Sequence, residues 1–545
     1  MDDSRRVIVA IGLTLAIFLG WQYLIKLTHP AAEEGAPPEA SAPAATPAEP
    51  PKAEATAPTA GTPAAPGGKV EAAPAPLAAP KPETAASFET PLLAGKLTSR
   101  GALEALDLVK YQEDRSDGKK GPVALVTAAA DAATVPRQAV LELVAGGAPV
   151  VLDFAEQGPR KFVLVGENAS GVKARVTVSV RDDAYAIDYA IVLENTAGAA
   201  VPAKLTVGLG LTPHALANEG SFFTPPADQV SNLCAVGDKV HRYSAKDAAT
   251  PQTLPGATFA GLDRQYFVIA LLPDAPGECV ARTKDKSLLV DYALGGAEIA
   301  PGKSWEKRFT FYVGPKRDAQ LSAVAPQLTA VVDYNIWGIP LGFLARPMVA
   351  ILNFFHGWTT SWGVAIMLLT LLVKTLLFPV TYKSALSMRR MQLVKPELDK
   401  LKERFGNDKE RMQMEQMKLF REKGVNPLGG CLPMLLQMPV WLALYRMLWT
   451  SVDLYQQKFL WLDNLTAKEP FPFLAIAFGL LTMLQQKLTP TSMDSQQAKI
   501  MMYVMPVVFT FFMFGLPSGL VLYIVVNSIL TIIQQLVINK RQVTL

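Results

Sequence analysis

A lysine inside an apolar run is the residue of this chain with the most chemical consequence. Lys374 lies in the run 362–380, Trp-Gly-Val-Ala-Ile-Met-Leu-Leu-Thr-Leu-Leu-Val-Lys-Thr-Leu-Leu-Phe-Pro-Val. The run is long enough to cross a bilayer, since a spanning helix needs roughly 20 apolar residues. A cation near the centre of such a helix costs roughly 2.5–3.5 kcal/mol on insertion scales, so it calls for water or a partner. Either the ammonium snorkels toward the interface beside Lys383, Arg389 and Arg390, or it sits in a hydrated groove. Thr370 precedes Lys374 by four residues, which puts both on one helix face. Gln437, Gln485, Gln486, Asn527, Gln534 and Gln535 add uncharged hydrogen-bonding groups to other apolar runs. Such groups either hold helices together or, with the lysine, line a wet groove. The chemistry of a groove would be electrostatic: easing a polar or acidic group partway across lipid.

Covalent and metal chemistry find little support. No Asp or Glu falls inside the apolar runs, and the five C-terminal runs hold no histidine. This weakens a proton relay and intramembrane aspartyl, serine or metalloproteases. The four histidines are scattered, and none stands in a His-Glu-x-x-His spacing. The three cysteines, Cys234, Cys279 and Cys431, form no CxxC. No Walker A motif is visible. We expect no metal, no cofactor and no enzyme.

The elements that must position the groove follow from composition. The chain has 545 residues, is 50% hydrophobic and carries a net charge of +4. It is too apolar for one soluble domain, and too weakly charged to imply nucleic-acid specificity. Residues 7–25 follow Arg5 and Arg6 and end in Trp21 and Tyr23, which suggests an uncleaved anchor with a cytoplasmic N-terminus. Residues 29–87, almost all Ala, Pro, Glu, Thr and Gly, cannot bury enough apolar area to fold and are expected to be a disordered tether. Between 88 and 325 the hydrophobic period is two. The run 172–180 alternates, Asp182-Asp183 turns, and Tyr185, Ile187, Tyr189 and Ile191 resume the alternation. Similar runs recur at 162–165, 205–211, 266–272, 288–293 and 305–313, so an all-β sandwich is expected. Cys234 and Cys279 fall in it, and an exported domain would allow them to pair or to stay apart.

From 326 onward the chain is expected to be a polytopic α-helical core. Residues 339–356 mix apolar groups with Arg346, Pro347, Asn353 and His356, the pattern of an interfacial helix, with a turn at Gly357. Apolar runs follow at 362–380, 427–448, 471–488, 500–514 and 520–538, making six spans with the anchor. The basic segment 383–423 and the tail Lys540 and Arg541 then fall in the cytoplasm, with the β domain outside. Within 383–423, Leu386, Met388, Met391, Val394, Leu398 and Leu401 keep helical spacing. Phe405-Gly406-Asn407-Asp408 breaks it, and Met412, Met414, Met417, Leu419 and Phe420 form a second set. This predicts a helical hairpin. Its cations, among them Arg389, Arg390, Lys395, Lys402 and Arg404, either bind a partner beside an adaptable Met-rich surface or simply face solvent and headgroups.

Three motifs carry a family resemblance. Asn426-Pro427-Leu428-Gly429-Gly430-Cys431-Leu432-Pro433 with Gln437-Met438-Pro439, Leu516-Pro517-Ser518-Gly519-Leu520-Val521-Leu522-Tyr523, and Phe311-Tyr312-Val313-Gly314-Pro315 resemble the YidC membrane insertases. The order of parts is similar to the Gram-negative form across nearly the whole chain. The resemblance implies insertion and folding of inner-membrane proteins through a groove open to cytoplasm and lipid. The implied partners are nascent membrane proteins, the Sec translocon, the ribosome and the signal recognition pathway. The family's groove cation, usually arginine, corresponds to Lys374, which keeps the charge but not the planar fork. Its substrate-contacting threonine corresponds to Thr370. Of the tyrosine pair after Pro-Ser-Gly only Tyr523 is present, followed by Ile524. With Gln437 and Asn527 from the polar residues of the apolar runs, the expected substrate-binding groove is Lys374, Thr370, Gln437, Tyr523 and Asn527. With a short tail, ribosome contact is expected to rest on the hairpin. Two other classes stay open: a small-solute transporter using the polar groove, and a β-domain receptor merely anchored by its spans.

Overall fold

The computed structural model of the chain describes residues 83–114, 120–126, 139–211, 230–284, 287–336, 339–405, 408–424, 432–488 and 495–539. The expected anchor, nearly all of the tether, the Gly406-Asn407 turn, the 426–431 motif and the basic tail lie outside these residues. So does the side chain of Lys402.

The period-two stretches are strands. Val172–Val180 and Ala186–Asn195 pair antiparallel, with Ile187 opposite Val180 and Asn195 opposite Val172. Val172, Ala174, Val176, Val178 and Val180 are buried while Lys173 and Arg175 are exposed, so the alternation of the sequence is the alternation of the two faces. The hairpin belongs to a nine-stranded sheet, which shares one apolar core with a six-stranded sheet. Tyr189 stacks on Phe309 within that core, with ring centroids 4.7 Å apart. A four-stranded sheet begins with Ala85–Glu89, three residues inside the stretch assigned to the tether. There Ala86 and Phe88 alternate with exposed neighbours, and two buried side chains suffice to recruit the segment as a strand.

The question left open about the cysteines is settled by a disulfide between Cys234 and Cys279. Cys234 lies on Ser231–Val236 of the nine-stranded sheet and Cys279 on Gly277–Lys284 of the six-stranded one, so the bond clasps the two layers. The loop it closes has a sequence separation of 45. On the loop-closure model this stabilises the domain by about 4 kcal/mol. Changing both cysteines to Ala is therefore expected to lower urea stability of the β domain by that amount. An unchanged midpoint would show that the clasp is energetically idle.

The C-terminal half is helical. Helix α1 spans Asp318–Val324, α2 Gly342–Thr359, α3 Trp362–Phe405, α4 Lys409–Glu422, α5 Leu432–Thr450, α6 Phe473–Leu488, α7 Ser495–Met513 and α8 Ser518–Asn539. Helix α2 buries Ala345, Met348 and Leu352 and exposes Phe343, Phe354 and Trp358, the last 79% exposed. It runs through Gly357, where a turn was expected. It stops instead at Thr360, whose backbone is left-handed at φ 54°. Helix α3 joins two segments that the sequence presents separately. Its 44 residues pass through Pro379 and Pro396, so the Lys374 run and the first arm of the hairpin are one continuous helix. Proline removes one backbone donor, and packing on both sides of the break maintains the helix; α3 lies against α2, α4 and α8. Helix α4 starts at an Asp408 cap, whose carboxylate accepts the Arg411 amide at 3.0 Å. The Lys423 ammonium meets Glu397 at 2.6 Å and the Arg411 guanidinium covers the Phe405 ring, so α4 runs back antiparallel along the end of α3. Among the described residues, Trp362–Met391 and Ser518–Ile538 are long and apolar enough by length and composition to cross a bilayer.

Charges join the β domain to the helices. Asp263 receives Lys316 Nζ at 2.9 Å and Arg242 Nε at 2.9 Å. Arg242 also approaches Asp333 at 3.9 Å, and Asp333 takes Arg446 of α5 at 3.3 Å. Arg317 pairs with Asp453 in the loop after α5, and Gln265 donates to the Trp449 carbonyl at 3.1 Å. Tyr455 from that loop sits among Tyr111, Tyr266 and Phe267 of the β domain.

Candidate functional site

Helix α8 carries the site's spine. Tyr523, Asn527 and Thr531 recur every four residues and share one face. Lys374 of α3 reaches that face, and its Nζ donates to the Thr531 hydroxyl at 2.9 Å. The Thr531 hydroxyl donates in turn to the Asn527 carbonyl at 2.7 Å. Gln437 of α5 reaches the same face from another side and donates through Nε2 to the Tyr523 hydroxyl at 3.4 Å. Lys374, Gln437 and Asn527 are half-buried, whereas Tyr523 is 2% exposed. The ammonium is thus turned into the bundle, toward a neutral oxygen on a facing helix.

Thr370 occupies a different position. It is 1% exposed, and its hydroxyl donates to the Ile366 carbonyl one turn back at 2.7 Å. Such back-bonding satisfies the hydroxyl within its own helix. Thr370 and Lys374 share a face of α3, but the Thr370 hydroxyl bonds within its own helix while the lysine head group reaches across to α8.

Thr531 was not singled out by its sequence. The available signal was the spacing of four from Asn527 and eight from Tyr523 inside an apolar run. Three residues further along α8, Gln534 has a buried amide oxygen without a hydrogen-bond partner among the described residues.

The basic residues of the hairpin spread along α3. Arg390 and Arg404 are exposed, and Arg389 and Lys395 are half-buried with partners of their own. Arg404 lines a cleft between the two arms with Lys400, Lys418, Glu397, Glu415 and Glu422, so the inner face of the hairpin mixes both signs. Met414 and Met417 on α4 are exposed. Among the described residues no three His, Cys, Asp or Glu side chains gather as a metal site.

Comparison with known proteins adds two family matches. The model of the 60Kd inner membrane protein covers residues 354–544, and that of the YidC periplasmic domain covers residues 85–351. The membrane protein insertase YidC of Anaeromyxobacter dehalogenans (strain 2CP-C) is 37% identical over 480 residues, covering 83% of this chain and 86% of the relative. That of Anaeromyxobacter sp. (strain Fw109-5) is 34% identical over 555 residues, covering 99% of this chain and 97% of the relative. A crystal structure of an active YidC insertase with its first transmembrane domain resolved aligns at a TM-score of 0.37 and 20% identity, over 84% of this chain and 93% of that one. A TM-score of that size carries no argument about how the parts are arranged.

Proposed function

The chain belongs to the YidC family of membrane protein insertases, and from that premise we infer that it inserts and folds inner-membrane proteins and is not an enzyme. The observation that carries the reading is the Lys374 ammonium, turned inward onto Thr531 at 2.9 Å. A lysine that merely snorkelled would seek the headgroups. Held inside, it lowers the cost of bringing a polar or acidic client flank into the bilayer. The client's apolar segment then passes into lipid, driven by burial worth roughly 25 cal/mol per Å², with no nucleotide needed.

In this reading the chain has six spans, with both termini and the α3–α4 hairpin in the cytoplasm and the β domain in the periplasm. The Cys234–Cys279 disulfide supports an oxidising location for that domain. The hairpin receives nascent chains from the ribosome, the signal recognition pathway or the Sec translocon through Arg389, Arg390, Lys395, Lys402 and Arg404. Because α3 is continuous, hairpin and groove share one helix. The stretch from Lys374 to Phe405 is roughly 45 Å at 1.5 Å per residue. Lys374, Thr370, Gln437, Tyr523 and Asn527 form the client groove.

Photocrosslinkers placed at Gln437 and Asn527 during translation test this. Adducts to nascent membrane proteins, without flux of small solutes through vesicles holding the protein, are expected. Flux without adducts would replace the insertase by a transporter.

A further inference from the structure

We propose that Thr531 is a positioning residue of the insertion site: its hydroxyl keeps the Lys374 ammonium inside the bundle and so sets the preference for clients with acidic flanks. The inference rests on the insertase reading above. A hydroxyl has one proton and two lone pairs. Thr531 commits its proton to the Asn527 carbonyl at 2.7 Å, leaving its oxygen as an acceptor toward Lys374 at 2.9 Å. A cation is the partner that such an oxygen suits. The ammonium has three donors, and Thr531 takes one. Among the described residues Lys374 has no carboxylate partner. This combination matters. A carboxylate would hold the lysine and also cancel its field, whereas a neutral oxygen holds it and leaves the charge available to an incoming anion. Without that acceptor the flexible four-carbon stem is free to carry the ammonium toward the interface. The contact also bridges α3 and α8, which among the described residues are the two helices long and apolar enough by length and composition to span.

The test uses the full chain in vesicles and two clients that share one apolar segment and differ only in an Asp or Asn flank. Thr531→Val keeps the shape and removes the acceptor. It is expected to reduce the Asp-over-Asn insertion ratio about tenfold, the size of one hydrogen bond to a charged group. The Asn client should lose much less than the Asp client, because its flank draws nothing from the ammonium's charge. Thr531→Ser, which retains the hydroxyl, should restore the ratio. The proposal is overturned if Val preserves the ratio, if Ser loses it as Val does, or if Val lowers both clients equally, as a packing role would. If Lys374→Gln abolishes the ratio and Thr531→Val leaves it intact, the insertase reading stands and the positioning role falls. If the unsubstituted protein inserts neither client, the reading falls and the proposal with it.

Discussion

Lys374→Glu is expected to reduce insertion of an acidic-flanked client roughly a hundredfold, while Lys374→Arg stays within a few-fold of the unsubstituted protein. Two unit charges about 4 Å apart interact by about 4 kcal/mol at an effective dielectric of 20, so exchanging attraction for repulsion is large even after partial screening. Lys374 is half-buried, which keeps that screening incomplete. Arginine retains the charge and gains donors, but its planar fork will not meet the Thr531 oxygen in the same way, hence the few-fold margin. A client with a short uncharged flank should respond little to either change. Insertion into vesicles, scored by protease protection, reads all three. Full insertion of the acidic client by the Glu variant would remove electrostatics from the mechanism.

The second large effect is expected at the junction of the β domain with the helices. Asp263 bridges Lys316 and Arg242, and the side chains of Asp263 and Lys316 are each 8% exposed. Asp263→Ala leaves a buried ammonium without its carboxylate. Breaking a buried pair from one side typically costs about 3–5 kcal/mol, and that loss is expected in urea unfolding of the β domain. Burial pushes the Lys316 ammonium below 10.5; Asp263 opposes the shift, while Arg242 and Arg446 add to it. Removing Asp263 therefore depresses it further. The unfolded chain keeps the proton up to about 10.5, whereas the folded variant sheds it earlier. Unfolding then takes up a proton, so the variant should regain stability as pH rises toward 10.5. A loss under about 1 kcal/mol, or a pH-independent loss of full size, would show that the pair is not held as described. The loss should also loosen Arg446 on α5, which shares Asp333 with Arg242, so faster proteolysis between residues 326 and 342 is expected alongside it.

Much of this arrangement could be read along the chain, wherever one physical signal dominated. Period-two burial identified the strands around 172–195 because one face of a sheet meets a core and the other does not. Apolar runs identified the helices because no other signal competes over so many residues. The continuity of α3 was not legible: the run 362–380 and the hairpin arm from 383 read as separate segments, and packing against α2, α4 and α8 carries one helix through Pro379. The junction was invisible. Asp263, Arg242, Lys316, Asp333 and Arg446 are far apart in sequence and belong to no motif, and ion pairs of that kind are defined only once two domains meet.

By itself the sequence determined that Lys374 must lie in an apolar helix and must find water or a partner there, because the cost of a bare cation in hydrocarbon depends only on the residue and its surroundings in the run. Which partner it finds was decided by tertiary structure. The distance from Lys374 to Thr531 spans 157 positions of chain and exists only when α3 packs on α8. The same holds for Gln437 with Tyr523 and for Cys234 with Cys279. Composition sets the energetic demand locally, while the group that meets it is supplied by whichever helix or sheet the fold brings alongside.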